Sequence, residues 1–280
     1  MTANSEQIDY WNGEAGERWA SYDDMMSRLL APIAELLLDH APPAGARAAL
    51  DVGCGGGSQS LLLAQRLGAG AKVTGVDISA PLLEVARRRA EQVEAELEFL
   101  QADAAAHEFA AGSFDLLFSR FGVMFFDNPE AAFTNLHRAL APGAPLLFCC
   151  WQALKDNPWV WLALQAALQH IPPPPPPQPG EPGPFAFADP DRVRGILAGA
   201  GFQDIDIRPQ PITLHWGEGE TLADQVRELV QIGPVGRLLA DQPKDVRETV
   251  RESIAEVLAP YYDGDTLVLE GATWFVSARA

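Results

Sequence analysis

The sequence is poor in positive charge and has no long apolar run. Its 280 residues include 20 lysines and arginines against 38 aspartates and glutamates, which gives a formal net charge of −18 at pH 7. A uniformly acidic surface repels phosphate groups, and this counts against RNA, DNA and anionic membranes as partners. No apolar stretch reaches the roughly 18 residues that a membrane-spanning helix needs. The first seven residues lack the basic and apolar regions of a signal peptide, so we expect a cytoplasmic protein without a membrane span.

Cysteine is also scarce. The three cysteines are Cys54, Cys149 and Cys150, an odd number without the spacing of metal ligands, which predicts reduced thiols and no metal site. The adjacent pair could indicate thiol chemistry or arsenic binding. Because both residues continue the apolar run Leu146–Phe148 and neighbouring strand residues point to opposite faces, we interpret them as small core residues.

The sequence does contain a glycine-rich turn after an apolar strand. The predicted strand Ala48–Val52 is followed by Gly53, Gly55 and Gly57, with an acid, Asp51, two residues before the first glycine. Glycine is needed where the backbone takes a positive φ or approaches a ligand closely. A helix predicted to begin near Ser58 points its unpaired N–H groups at this turn, which therefore suits a polar or anionic ligand group.

The residues around the turn discriminate between two classes of nucleotide. A dinucleotide fingerprint has a third glycine or an alanine where this sequence has Ser58. A carboxylate such as Asp51 would repel a pyrophosphate and attract an ammonium group, so we expect a zwitterionic ligand. Asp77, at the end of the next predicted strand, can accept hydrogen bonds from both hydroxyls of a ribose.

Four sequence blocks in order then resemble a known family. They are residues 50–57, 73–79, 100–104 and 113–122, within the span from Ala48 to Trp151. In these blocks the chain resembles the class I S-adenosylmethionine-dependent methyltransferases, in the small-molecule branch that includes the ubiquinone and menaquinone C-methyltransferases. The resemblance implies S-adenosylmethionine as cofactor and a small, partly apolar metabolite as methyl acceptor.

The resemblance also assigns cofactor contacts. It places Asp51, Gly53, Gly55 and Gly57 at the methionine half, Asp77 and Ile78 at the ribose and adenine, Asp103 and Ala104 at the adenine, and Ser119 at the methionine end, with Ser58 and Gln59 assisting. The N-terminal helical segment is expected to cover the cofactor. Its residues Tyr10, Trp11 and Trp19 could contact the sulfonium by cation–π interaction, or could be ordinary helix-packing aromatics.

Strands alternate with helices along the chain, which predicts a doubly wound, mostly parallel sheet. The predicted strands are Ala48–Val52, Lys72–Asp77, Glu96–Ala102, Phe114–Arg120, Pro145–Trp151, Asp204–Trp216 and Ala272–Ala278, and the predicted helices between them include Leu61–Leu67, Pro81–Ala95 and Pro129–Leu140. The resemblance implies seven strands in this α/β fold, with an antiparallel last strand inserted beside the fifth.

We expect one methyltransferase domain over residues 1–280. Its predicted parts are an N-terminal helical cap (1–45), a cofactor-binding core (46–152), a helix with a proline-rich lid (153–190), the rest of the sheet (191–216 and 269–280) and a helical insertion (217–268). The unbroken run Pro172–Pro177 favours an extended conformation. We interpret it as a stiff loop over the site, and a docking segment for a partner domain is the alternative.

Methyl transfer from a sulfonium is an in-line displacement, so positioning matters more than any single catalytic residue. The candidates for catalysis are Arg120, His170 and His215. Arg120 could anchor an acidic or carbonyl group, or pair with Asp115 or Asp127. The two histidines are possible bases, and Phe121, Phe125 and Phe126 favour an apolar or aromatic acceptor.

Two other functions stay open from the sequence. One is an NAD(P)-dependent oxidoreductase, which Asp51 and Ser58 disfavour. The other is a cofactor-binding protein without catalysis that binds a partner through the proline run. The sequence indicates neither the atom that is methylated nor an oligomeric state.

Overall fold

The fold is a seven-stranded sheet covered by helices, seen in a computed structural model that describes residues 4–41, 45–176, 178, 180–217, 219–231 and 233–280. The strands are β1 (Ala48–Val52), β2 (Lys72–Asp77), β3 (Glu96–Gln101), β4 (Leu116–Arg120), β5 (Pro145–Trp151), β6 (Gln203–Trp216) and β7 (Leu267–Arg279). The helices are α1 (Ser5–Asn12), α2 (Glu14–Ser21), α3 (Asp23–His40), α4 (Ser58–Leu67), α5 (Ala80–Ala90), α6 (Pro129–Ala139), α7 (Pro158–Ala167), α8 (Pro190–Gly199), α9 (Leu222–Leu229), α10 (Gly233–Ala240) and α11 (Lys244–Leu258).

The strand order is β3-β2-β1-β4-β5-β7-β6. Strands β1 to β5 pair in parallel, with β1 between β2 and β4. This order confirms the predicted doubly wound fold, and it places the carboxyl ends of β1, β2 and β4 next to one another. Open α/β sheets bind their ligands where the strand order reverses, at that edge.

The last strand is inserted beside the fifth, as expected. Hydrogen bonds join Ala280 to Ala144 at one end of β5 and Gln152 to Ala272 just beyond its other end. The two strands therefore run antiparallel. The predicted β7 was too short at its start, because the strand begins at Leu267 rather than Ala272.

Two further predicted bounds are wrong. Helix α5 ends at Ala90, five residues before the predicted end, because Gln92 N–H bonds to the Arg89 carbonyl and tightens the last turn. Strand β4 starts at Leu116. Phe114 before it forms only an isolated bridge to Leu140.

The N-terminal segment folds into α1, α2 and α3, as predicted for a helical cap. The spacing of Leu29, Leu30, Ile33, Leu36 and Leu37 predicts a core-facing stripe on α3. Leu29, Ile33 and Leu37 are buried and Leu30 is half-buried. Leu36 is 43% exposed, so its predicted burial is wrong, since it lies off the buried stripe of the helix.

The chain divides into two compact units. The first unit comprises Met1–Cys150, Pro182–Pro209 and Trp274–Ala280, and the second comprises Trp151–Glu181 and Gln210–Thr273. The second unit contains α7, α9, α10 and α11 and an aromatic core in which the Trp159 ring lies 5.1 Å from Trp151 and 6.4 Å from Trp216. Among the helices described, none has the length and apolar character to cross a membrane.

Candidate functional site

A tight backbone approach fixes the start of the glycine loop, residues 53–57. The N–H groups of Gly53 and Cys54 both donate to the Val76 carbonyl at the end of β2, at 2.8 and 3.2 Å. Gly53 has φ +69°, and a Cβ there would lie 2.6 Å from the Cα of Gly122. The loop is therefore wedged between the ends of β2 and β4, and a side chain at this position would displace it.

The middle of the loop faces open space and a carboxylate. Gly55 has φ +52°, and no atom lies within 4 Å of the position that its Cβ would take. Its N–H donates to Oδ2 of Asp77 at 2.8 Å, and the Ser79 N–H donates to Oδ1 at 2.8 Å. Burial raises the pKa of Asp77, and these backbone hydrogen bonds oppose the shift. Each oxygen keeps a lone pair for a ligand hydroxyl, so the geometry suits the predicted ribose contact, which stays a prediction.

Asp51 lies beneath the loop and is fully covered. Its Oδ2 accepts a hydrogen bond from Ser60 Oγ at 2.5 Å and its Oδ1 from Gln59 Nε2 at 3.0 Å, and the residue has no exposed surface. Burial raises its pKa from 3.8 to about 6, against the lowering effect of the two hydrogen bonds. The carboxylate ties β1 to the first turn of α4. Its predicted action on the methionine half stays a prediction.

The predicted adenine side of the site is held by asparagines. Asp103 is half-buried, and its Oδ1 accepts from the Ala105 N–H at 2.9 Å. Asn135 Nδ2 donates to the carbonyl of the buried Ala104 at 3.0 Å. Asn12 Nδ2 donates to the Ile78 carbonyl at 2.9 Å, while the Ala80 N–H donates to Asn12 Oδ1 at 3.0 Å. The end of α1 is thereby fastened to the turn after β2.

The N-terminal aromatic residues form one cluster. The Trp11 ring lies 5.3 Å from Tyr10, 5.7 Å from Trp19 and 5.6 Å from Phe125. Phe125 belongs to the short 3-10 turn after β4. The structure thus brings the predicted cap aromatics to the segment predicted to face the acceptor, and their contact with a sulfonium stays a prediction.

A second contact fixes the cap to the glycine loop. Arg89 of α5 donates to the Gly56 carbonyl at 2.5 Å and forms ion pairs with Asp23 at 2.8 Å and Asp24 at 2.7 Å, both at the start of α3. A Cβ on Gly56 would fall 2.2 Å from the Asp23 carboxylate. The start of α3 therefore covers this glycine directly.

The two side chains at the end of β4 differ in how many hydrogen bonds they form. Ser119 is buried, and its Oγ donates to the Val52 carbonyl at 2.7 Å and accepts from the Gly122 N–H at 3.2 Å. Its hydroxyl thus joins β4 to β1. Arg120 is half-buried, and one guanidinium N–H reaches Ser58 Oγ at 3.5 Å. In the described part of the chain no carboxylate lies within 4.0 Å of it.

The structural pairings considered for Arg120 are wrong. Asp115 directly precedes β4, at the opposite end of that strand from Arg120, and its carboxylate accepts from the Arg47 and Ala48 N–H groups at 2.8 Å. Asp127 is exposed and forms no ion pair with Arg120.

The remaining candidates lie elsewhere. His170 and His215 are exposed residues of the second unit, and their roles as bases stay predictions. Cys149 and Cys150 have no exposed surface, and burial raises the pKa of Cys149 to about 12, which supports the interpretation as core residues. Residues 172–176 of the proline run are exposed and lie outside helices and strands, while Pro177 lies outside the described residues.

Two residues of the site, Asn12 and Gly122, are brought there by the fold and were not predicted from the sequence. Asparagine near a helix end often bonds backbone groups, and this is the sequence signal that could have indicated Asn12. Gly122 follows Phe121, which takes φ +62°, and this strained turn after β4 carries no strong sequence signal.

Comparisons with known proteins agree with this geometry. A family model described as a methyltransferase domain matches residues 50–148. The chain is 39% identical over 129 residues to the demethylmenaquinone methyltransferase of Thermus thermophilus, covering 44% of this chain and 58% of that protein. It is 40% identical over 111 residues to the trans-aconitate 2-methyltransferase of Paracidovorax citrulli, covering 39% and 41%. The chain therefore spans about half the length of the curated relatives it matches.

Solved structures share the fold. The phosphoethanolamine N-methyltransferase 2 of Haemonchus contortus, solved with S-adenosyl-L-methionine, has a TM-score of 0.61 at 19% identity and covers 98% of this chain and 60% of that chain. The YcgJ protein of Bacillus subtilis has a TM-score of 0.57 at 16% identity, with coverage of 89% and 98%.

Proposed function

We propose that this chain, a member of the class I S-adenosylmethionine-dependent methyltransferases, transfers a methyl group from that cofactor to a small, partly apolar metabolite. The observation that carries the proposal is the pair formed by Gly55 and Asp77. An open glycine backbone lies hydrogen-bonded to a carboxylate at the switch point of the sheet, where an adenosine ligand fits.

The residues present fit this cofactor. The space beside Gly55 admits a ligand that a Cβ would exclude. Asp77 supplies two carboxylate oxygens for ribose hydroxyls. Ile78 directly follows β2 and Asp103 lies just after β3, on the predicted adenine side. Gly53, Gly57 and Ser58 line the loop toward the methionine half.

When bound, the cofactor supplies a methyl group that is already activated by a sulfonium. The protein then needs to hold the acceptor in line and exclude water, and such positioning can lower a barrier by on the order of 7 to 11 kcal/mol. The Trp11 cluster, composed of Tyr10, Trp11, Trp19 and Phe125, provides an apolar cover. Asn12 holds α1, which carries Tyr10 and Trp11, against the turn after β2, and Arg89 holds the start of α3 against the glycine loop.

The acceptor we propose is a small molecule rather than a nucleic acid. The two curated relatives described above are named for demethylmenaquinone and trans-aconitate. The aromatic face at Trp11 and Phe125 favours an acceptor with an apolar part. The net charge of −18 disfavours a phosphate backbone. A cytoplasmic location is supported by three buried, unpaired thiols.

The alternative of an NAD(P)-dependent oxidoreductase is disfavoured by the geometry. Asp51 is buried under the loop beside Gln59, where a pyrophosphate would approach a carboxylate that carries negative charge above pH 6. A protein that binds the cofactor without methylating anything is the other alternative, and turnover with a substrate panel separates it from the proposal.

Calorimetric titration with S-adenosylhomocysteine tests the cofactor assignment. We expect binding by the wild-type protein, and a loss of more than about 100-fold in Asp77→Ala, since two hydrogen bonds to a charged acceptor contribute about 1.5–3 kcal/mol each. The matched control is Asp206→Asn, a half-buried aspartate of the same unit that pairs with Arg208 and His40, and its affinity should stay unchanged. Absence of binding by the wild-type protein, or unchanged affinity in a folded Asp77→Ala, would contradict the proposal.

A further inference from the structure

Arg120 is a cation at the site without a counter-ion among the described residues. Its single hydrogen bond there is the 3.5 Å contact with the Ser58 hydroxyl. Burial lowers the pKa of its guanidinium, which shows that the surroundings do not compensate fully for lost hydration. An arginine carries five N–H donors, so most of its hydrogen-bonding capacity is left for a ligand.

The nearby carboxylates are already engaged. Asp51 and Asp23 both favour the charged form of Arg120 electrostatically. However, Asp51 accepts from Ser60 and Gln59, and Asp23 from Arg89 and Ser27. Neither oxygen pair reaches Arg120 within 4.0 Å in the described structure, so these carboxylates act on the arginine only at long range.

The surroundings of Arg120 also favour an anion. Ser58 is the first residue of α4, a helix of ten residues whose N-cap, Gly57, offers no side-chain cap. The unpaired N–H groups of such a first turn attract negative charge. The guanidinium, the Ser58 hydroxyl and the helix start thus converge on one small region beside the glycine loop.

We propose that Arg120 and Ser58 bind the carboxylate of the cofactor's methionine moiety, with the planar guanidinium as the charged donor. This inference rests on the proposed function. The cofactor, rather than the acceptor, is the source of the carboxylate, because Ser58 directly follows the loop that faces the cofactor. The Trp11 cluster, in contrast, offers an acceptor an apolar surface.

Two ligands that differ only beyond the adenosyl thioether test the assignment. S-adenosylhomocysteine carries the amino acid carboxylate, whereas 5′-methylthioadenosine lacks it. We expect Arg120→Gln to weaken binding of S-adenosylhomocysteine by about 10- to 100-fold, the range of a hydrogen bond to a charged group, and to leave 5′-methylthioadenosine within about twofold. Ser58→Ala should weaken only the first ligand, by several fold. Arg120→Lys should retain part of the affinity, since it keeps the charge and loses the fork.

Arg208→Gln is the matched control, because this arginine is exposed on β6 of the same unit and pairs with Asp206. Thermal unfolding of each variant checks that it folds. If a folded Arg120→Gln binds S-adenosylhomocysteine as the wild type does, or loses both ligands equally, the assignment is overturned, even where the variant raises the KM of an acceptor. If the wild-type protein binds neither ligand, the proposed function itself fails and the inference with it.

Discussion

The buried carboxylate of Asp51 should cost the fold stability at neutral pH. Burial raises its pKa from 3.8 to about 6, and about two pKa units at about 1.4 kcal/mol each give about 3 kcal/mol. The native state holds this proton more tightly than the unfolded chain does. Stability associated with Asp51 is therefore fully present below about pH 4 and is lost as the pH rises through about 6.

Asp51→Asn removes this ionisation while preserving shape, and its amide can still accept from Gln59 and bond the Ser60 hydroxyl. We expect the variant to gain stability relative to wild type as the pH rises. From a linkage calculation with the two pKa values, the gain at pH 8 should exceed that at pH 5 by about 1.5 kcal/mol. Both conditions lie above the sequence pI of about 4.5.

Urea unfolding of both proteins at pH 5 and pH 8, followed by tryptophan fluorescence, measures this difference. Asp241→Asn, on an exposed turn of the second unit, reports the effect of removing one negative charge from the acidic surface. The reasoning is refuted if the stability difference between Asp51→Asn and wild type is the same at both pH values, or shrinks at pH 8. Either result would mean that Asp51 ionises at least as readily in the native state as in the unfolded chain.

Two further predictions concern the backbone around the cofactor. Gly53→Ala combines positive φ with a Cβ 2.6 Å from Gly122 Cα and should lower the free energy of unfolding by about 3 kcal/mol. Gly55→Ala has positive φ but open space at its Cβ, so it should lower the free energy of unfolding by only about 1–2 kcal/mol. It should nevertheless abolish S-adenosylhomocysteine binding. Equal effects of the two variants on unfolding and on binding would refute this distinction. Asn12→Ala loses its bonds to Ile78 and Ala80, and we expect faster hydrogen exchange at Ala80 and about fivefold weaker cofactor affinity, corresponding to about 1 kcal/mol. Unchanged exchange at Ala80 would contradict this role of α1.

Part of the fold could be predicted from the sequence because β1 and β5 are short apolar runs, and because a glycine follows β1 and an aspartate ends β2. The bounds of β1, β2 and β5 are those predicted. The start of β7 was missed because Glu270 and Gly271 interrupt the apolar pattern of Leu267–Ala272, and Leu267 is placed by the second unit, where its N–H donates to Gln225 at 2.6 Å. The sequence pattern around Leu267 does not indicate this contact with Gln225.

Site residues that belong to one strand and the turn after it could be predicted from the sequence. Contacts between segments that are far apart in sequence could not. Gly53, Gly55 and Asp77 follow from the strand–turn–helix pattern. The coverage of Asp51 by Gln59 and Ser60 depends on the orientation of α4, and the isolation of Arg120 depends on where Asp23 and Asp115 find their own partners. Such facts belong to the packed chain, because they are set by competition between side chains far apart in sequence.

The contact of Arg89 with both the Gly56 carbonyl and the start of α3 limits how this protein can be re-engineered. The Arg89 guanidinium contacts both the glycine loop and the start of α3. The Asp23 carboxylate fills the space beside Gly56. A cap grafted from one of the related methyltransferases to change the proposed acceptor would therefore need to bring its own acid at this position. Otherwise the graft would leave a half-buried cation and an uncovered loop, and would alter cofactor affinity before it altered specificity.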